Sequence, residues 1–289
     1  AEFDVPSSTH AVVFDGSCGA QGDADINADV SVATVTINGF NGAIRLNGNR
    51  VTTSGDFVQT TGAIDAMSSF LDIGGTLALS AGTALNDSII TFVGARSGGV
   101  SSVNPFHAVV VNRSGGATAS MAAAFTANSL TISAGQFATA GLAASLGSVS
   151  MSGGTFVLTN SAVGVSGDWT QTSGTLSAAG STVTFSGGTA TVDANGSTFH
   201  VVDVTGGVEF STVLNADGAL TISGGAVLNT GAAVKNLILS AGALTLNGEV
   251  TVSGNWNKAP AAIFVAGTST VTFTGPGIKT VSGSSDFHH

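Results

Sequence analysis

Short alternating runs dominate the chain. In Thr182–Phe185, Val183 and Phe185 alternate with Thr182 and Thr184; Val250 and Val252 alternate with Glu249, Thr251 and Ser253. A strand points successive side chains to opposite faces, so such runs predict one apolar and one hydroxyl-rich face. Glycine pairs, Gly187-Gly188, Gly206-Gly207 and Gly224-Gly225, punctuate the runs. They are expected to supply positive φ at tight corners. No long 3.6-residue periodicity appears. The most helix-like segment, Ala-rich 117–127, aligns with strand-like residues elsewhere in the chain.

The runs repeat. Ser166-Gly167-Asp168-Trp169 recurs as Ser253-Gly254-Asn255-Trp256 and as Ser54-Gly55-Asp56-Phe57. Ser181-Thr182-Val183-Thr184-Phe185 recurs as Ser269-Thr270-Val271-Thr272-Phe273, with Ser88-Ile89-Ile90-Thr91-Phe92 as the earlier version. A Phe-His pair follows each: Phe106-His107, Phe199-His200 and Phe287-His288, always at the same offset from the first Phe (106−92, 199−185, 287−273). The long period is about 90 residues (220−130 for Leu130 and Leu220), which marks a solenoid or array. From Trp169, apolar centres near Phe185, Val202, Ile222, Leu239 and Trp256 give a short step of about 17 residues. The first long unit is longer between its aromatics (92−57 against 185−169) by about one such step, which predicts an extra coil over 69–79.

These periods predict an all-β fold: a parallel β-solenoid (β-helix) of roughly 16 coils of about 17 residues, stacked at the strand spacing of about 4.8 Å. The expected organisation is one elongated solenoid over 1–289, with long repeats of roughly 30–111, 112–204 and 205–289. A β-propeller or a two-layer sandwich is the alternative all-β reading; sandwich strands would alternate with longer loops and give no such recurrence of about 17 residues.

Composition narrows the function. The 289 residues are 43% hydrophobic and only 8% charged, with net charge −10. The hydrophobic content argues against disorder. The acidic balance argues against nucleic-acid binding and against electrostatic attachment to anionic lipid. Gly, Ser and Thr interrupt every apolar run, so no membrane insertion is expected. The lone cysteine, Cys18, allows no internal disulfide and reads as a small buried side chain. The chain opens Ala-Glu-Phe-Asp, consistent with a processed or excerpted polypeptide.

The succession Ser-Gly-(Asp/Asn)-Trp, Ser-Thr-Val-Thr-Phe-(Ser/Thr)-Gly and Phe-His resembles repeats of large secreted bacterial surface proteins, the adhesins and autotransporter passengers. The resemblance covers nearly the whole chain. It implies an extracellular, elongated scaffold at the cell surface, and it carries over no catalytic residue.

Candidate chemistry is sparse. His107, His200 and His288 occupy equivalent positions, but coils roughly 24 Å apart cannot share a metal, so they read as structural corner residues. Asp56, Asp168 and Asn255 precede Phe57, Trp169 and Trp256; side chains of this type hydrogen-bond turn backbone. Together with Phe92, Phe185 and Phe273 they are expected to be structural repeat positions. Asp23, Asp25, Asn27 and Asp29 resemble the start of a calcium loop, yet Ala28 and Thr34 stand where that loop needs Gly and Glu. A strand with Ala24, Ile26, Ala28 and Val30 inward is the competing reading, leaving a weak calcium candidate. Thr rows suited to ice binding break at Leu130 and Leu237. No cofactor is expected.

The leading expectation is a non-enzymatic extracellular structural protein, an adhesin stalk or a filament subunit that self-associates through open solenoid ends. A glycan- or receptor-binding rod is one alternative, with 96–105 and 112–122 as carrier loops. A polysaccharide-degrading β-helix enzyme is the other; it needs clustered acids and bases.

Overall fold

A computed structural model describes residues 6–17, 22–285 and 287. Among them every regular element is a strand, and the strand pairs are parallel. The fold is a parallel β-solenoid of about 14 turns. That is fewer than the 16 expected, because most coils are longer than the step read from spacing. Val35 faces Phe57 and Val183 faces Val202, and both intervals (57−35, 202−183) exceed the one from Leu220 to Leu237 (237−220). The shorter period arose from mixing sides of the coil. Trp169 pairs with Val192 and Phe185 with Val204, so Trp169 and Phe185 belong to different stacks. No described helix is long and apolar enough to cross a membrane.

The chain divides into two compact units, 1–142 with 153–155, and 143–152 with 156–289. In the first, the strands Arg50–Thr53, Phe70–Ile73, Ile89–Gly94, Phe106–Arg113 and Phe125–Ala134 stack in register. They align Val51, Leu71, Ile90, Val109 and Leu130 as one buried column. A second stack carries Val35, Phe57, Leu77 and Val100 inward. A third side is shorter: Ala24–Asp25, Ala43–Arg45, Ala63–Asp65 and Thr83–Ala84 form a four-stranded sheet. The predicted extra coil is present as the strands Phe70–Ile73 and Leu77–Leu79. Within the Ala-rich segment 117–127, Thr118–Met121 is a strand with Ala119 and Met121 buried. Alternation prevails there over helix propensity.

In the second unit, Val163, Val183, Val202, Leu220, Leu237 and Trp256 form one column, each at most 1% exposed. Burying such side chains contributes about 1.5–3 kcal/mol apiece, and each does so only against the coils beside it. Aromatics pack in this interior as they do in that of the first unit. Trp169 packs on Phe156 (5.9 Å), Phe199 (5.3 Å) and Phe185 (6.3 Å).

The corners explain the recurrent serines. Ser88 N–H donates to Leu85 O (3.1 Å) and Ser181 N–H to Ala178 O (3.0 Å); Ser69 and Ser269 repeat the bond. Each turn holds a central residue at positive φ: Ser68, Asp87, Gly180 or Gly267. The buried Ser88 and Ser181 hydroxyls also donate to those carbonyls.

The glycine pairs serve a different purpose from the one expected. None of Gly187, Gly188, Gly206, Gly207, Gly224 or Gly225 has positive φ. A Cβ on Gly206 would collide with Gly187 O, and one on Gly224 with Gly206 O. The column is glycine because successive backbones meet there without room for a side chain. Beside it, Thr205 and Ser223 hydroxyls donate to Phe185 O (3.4 Å) and Val204 O (3.3 Å) on the preceding coil.

Candidate functional site

The recurring polar residues are tied to backbone. Asp56 Oδ1 accepts from Thr76 N–H (2.8 Å), Asp168 Oδ1 from Thr191 N–H (2.8 Å), and Asn255 Oδ1 from Thr280 N–H (2.9 Å). Each acceptor therefore reaches a donor one coil onward. The following Phe57, Trp169 and Trp256 point the other way and are buried, as are Phe92 and Phe185; Phe273 is half-buried.

The Phe-His pairs divide by strand alternation. Phe106 and Phe199 lie in the core while His107 and His200 face outward. His200 Nδ1 is 2.7 Å from Asp217 Oδ1, on the next coil. His107 Nδ1 is 3.7 Å from Asp87 Oδ1, on the preceding coil, and 3.5 Å from Asn128 Nδ2, on the following one. His288 and Cys18 lie outside the described residues.

The acids near the start face cationic and amide partners. Asp23 accepts from Ala43 N–H (2.9 Å) and from Arg45, which also lies 3.6 Å from Asp25. The Ala43 N–H, then the Arg45 guanidinium, hold the Asp23 carboxyl below its ordinary value. Asn27 bonds Asn47, and Asp29 accepts from Arg50 N–H (2.8 Å). Their oxygens thus turn to protein donors, Arg45 shared by Asp23 and Asp25 and Asn47 Nδ2 by Asp25 and Asn27. Among the described residues, no group of three His, Cys, Asp or Glu is placed to hold a metal. Ala24, Ile26 and Val30 are half-buried; Ala28 is exposed, because only Ala24–Asp25 and Val30–Val32 are strand.

Two structural devices escaped the sequence reading. Gln59 Nε2 donates to Gly62 O (2.8 Å), and Gln171 Nε2 to Gly174 O (3.2 Å). Both glutamines sit two positions after the motif aromatic, so extending the repeat comparison would have found them. Arg113 is fully buried, and among the described residues no carboxylate forms an ion pair with it. Its guanidinium donates to Gly74 O (3.0 Å), Gly75 O (2.7 Å), Val93 O (3.2 Å) and Arg96 O. It lies 5.4 Å from the Phe92 ring centroid. Burial, with Arg96 nearby, lowers its pKa. Strict alternation from Val109 and Val111 was the available signal, since it aims Arg113 inward.

One polar cleft stands out in the first unit. The four-stranded sheet ends at Thr83–Ala84, and the next coil passes that side as irregular residues 103–105. Asn104 Nδ2 donates to Thr83 O (2.5 Å). The step leaves a cleft of about 600 Å³ whose lining includes Asn86, Asp87, Asn104, Pro105, His107 and Asn128.

Comparison with known proteins finds no matching family model, no matching curated protein and no matching solved structure.

Proposed function

We propose that this chain is a non-enzymatic extracellular structural protein, a surface stalk or filament subunit, whose terminal coils stack on those of a second copy. The supporting observation is that, among the described residues, apolar core columns run into the first and last described coils, where their members are only half-buried. At one end Val12, Phe14, Ile26 and Val30 are half-buried and, with Pro6, line an all-apolar cavity of about 130 Å³. The strand Ala11–Asp15 pairs there with Thr34–Asn38. In the last described coil Phe264 and Phe273 continue columns whose preceding members, Leu244 and Val252, are fully buried; the Phe287 ring packs on both (5.7 and 6.3 Å), yet they stay half-buried. Strands whose apolar faces stay partly exposed favour strand addition. The use of the repeated Asp and Asn side chains on backbone donors also supports a scaffold rather than a reaction centre. The adhesin-like resemblance of the repeats favours a secreted, bacterial surface setting.

The test is electron microscopy with sedimentation, over a series from about 1 to 100 µM. Particles joined end to end, lengthening with concentration and suppressed by Phe14→Asp, are expected. A monodisperse monomer throughout the series would overturn the assembly.

A further inference from the structure

We propose that the cleft at Asp87, His107 and Asn128 is a binding site for a neutral saccharide. This goes beyond the scaffold reading and does not depend on assembly. The cleft arises inside the first unit, where the third sheet stops at Thr83–Ala84, and so owes nothing to either terminal coil. Its lining supplies three carboxamides, Asn86, Asn104 and Asn128, with one carboxylate and one imidazole. A carboxamide carries both donors and an acceptor, the pairing that a sugar hydroxyl, itself donor and acceptor, requires; Asn104 Nδ2 is taken by Thr83 O, which leaves that residue its acceptor. Among the described residues, the Asn86 side chain, the Asp87 carboxylate and Asn104 Oδ1 have no hydrogen-bond partner. Asp87, His107 and Asn128 come from consecutive coils, at nearly equal intervals (107−87, 128−107), so the row extends about 10 Å along the strand-stacking direction. That length suits a short oligosaccharide, and exposed Pro105 adds an apolar surface for a sugar face.

Other ligand classes fit less well. No Lys or Arg lines the cleft and Asp87 adds negative charge, which disfavours acidic glycans and phosphates. Addition of a peptide strand is obstructed, because Asn104 already caps Thr83 O and Pro105 lacks an N–H. The second unit provides an internal comparison. There His200 is engaged by Asp217, and a cleft of about 480 Å³ is lined by Asp217 and Lys235.

The experiment is a titration of the isotope-labelled full chain, followed by amide NMR. The probes are maltotetraose, cellotetraose and chitotetraose, with tetragalacturonate as the acidic comparator. At least one neutral tetrasaccharide is expected to shift the Asn86, Asn104 and Asn128 side-chain signals saturably, with Kd on the order of 1 mM. The double variant His107→Ala, Asn128→Ala should weaken that binding at least about tenfold at unchanged melting temperature. Asp87→Asn, which tolerates the left-handed backbone at that position, serves as a second folded variant. No shift by any neutral probe up to about 20 mM, a response to tetragalacturonate alone, or undiminished binding by both variants would overturn the assignment.

Discussion

His200 Nδ1 lies 2.7 Å from the Asp217 carboxylate on the adjacent coil. The pairing of Phe199 with Ala216 sets the two side chains next to one another. Both are open to solvent, at 40% and 66% exposed. Exposed pairs of this kind contribute little, about 0–1 kcal/mol, because water screens the charges and two side chains must be held in place. His200→Gln and Asp217→Asn are therefore expected to change stability by no more than about 0.5 kcal/mol, read from denaturant midpoints. A loss of several times that size would show that the pair holds the coils together.

Asp168 should behave differently, because its Oδ1 accepts a backbone N–H rather than a mobile side chain. Asp168→Ala leaves the Thr191 N–H without that acceptor, and a loss of about 1–2 kcal/mol is expected. Asp168→Asn should be nearly neutral, since Asn255 makes the same bond one long repeat onward. Equal losses in the two variants would mean that the charge, not the acceptor geometry, is what counts.

These two residues also show what was legible in the sequence. The recurrence of Ser-Gly-(Asp/Asn)-aromatic announced a stacked parallel fold, whereas His107, read as a corner residue, is the outward neighbour of the buried Phe106 in the strand Phe106–Arg113. Spacing alone came close on the number of coils, the difference arising where it ran two sides together: Trp169 and Phe185 sit on different sides of one turn. It also gave the wrong reason for Gly206 and Gly224: close backbone approach leaves no mark in one sequence that separates it from a corner of positive φ. The saccharide cleft was illegible for a related reason. Asp87, His107 and Asn128 become neighbours only once the register of three coils is known, and the cleft exists because a sheet stops at Thr83–Ala84.

Trp169 tests how the interior tolerates lost volume. It is fully buried between Phe156, Phe185 and Phe199, and its indole N–H has no partner among the described residues. Trp169→Ala is expected to cost about 3–5 kcal/mol. Trp169→Phe removes the unpaired N–H and keeps an aromatic, as Phe57 does in the first unit, so its cost should stay below about 2 kcal/mol. Thermal and urea unfolding of both variants would decide; equal costs would mean that the indole shape itself is indispensable.

Arg113 gathers four carbonyl groups from Gly74, Gly75, Val93 and Arg96. Arg113→Met keeps much of the length but leaves those carbonyls without their donor, and a loss of about 3 kcal/mol or more is expected. Arg113→Lys should restore only part, since an ammonium has three donors and cannot reproduce the planar fork. Hydrogen exchange at 74–76 and 93–96 should rise in step with the loss. Unchanged protection there would remove the clamp from the account of this corner.

Asp23 gives the chain an acid-sensitive point near its start. Its carboxyl is held below the ordinary value first by the Ala43 N–H and then by Arg45. A carboxyl depressed on folding contributes stability that is fully present above its unfolded pKa, about 3.9. That contribution disappears as pH falls through the lower, folded value. The side-chain carbonyl resonance of Asp23 should accordingly titrate with a midpoint below 3.8. In Arg45→Gln the midpoint should rise only partway, because the larger influence, the Ala43 N–H, remains in place. A wild-type midpoint at or above the ordinary value would remove both bonds from the solution structure and reopen Asp23 as a free surface acid, with Asp25 and Asp29 beside it again available to a cation.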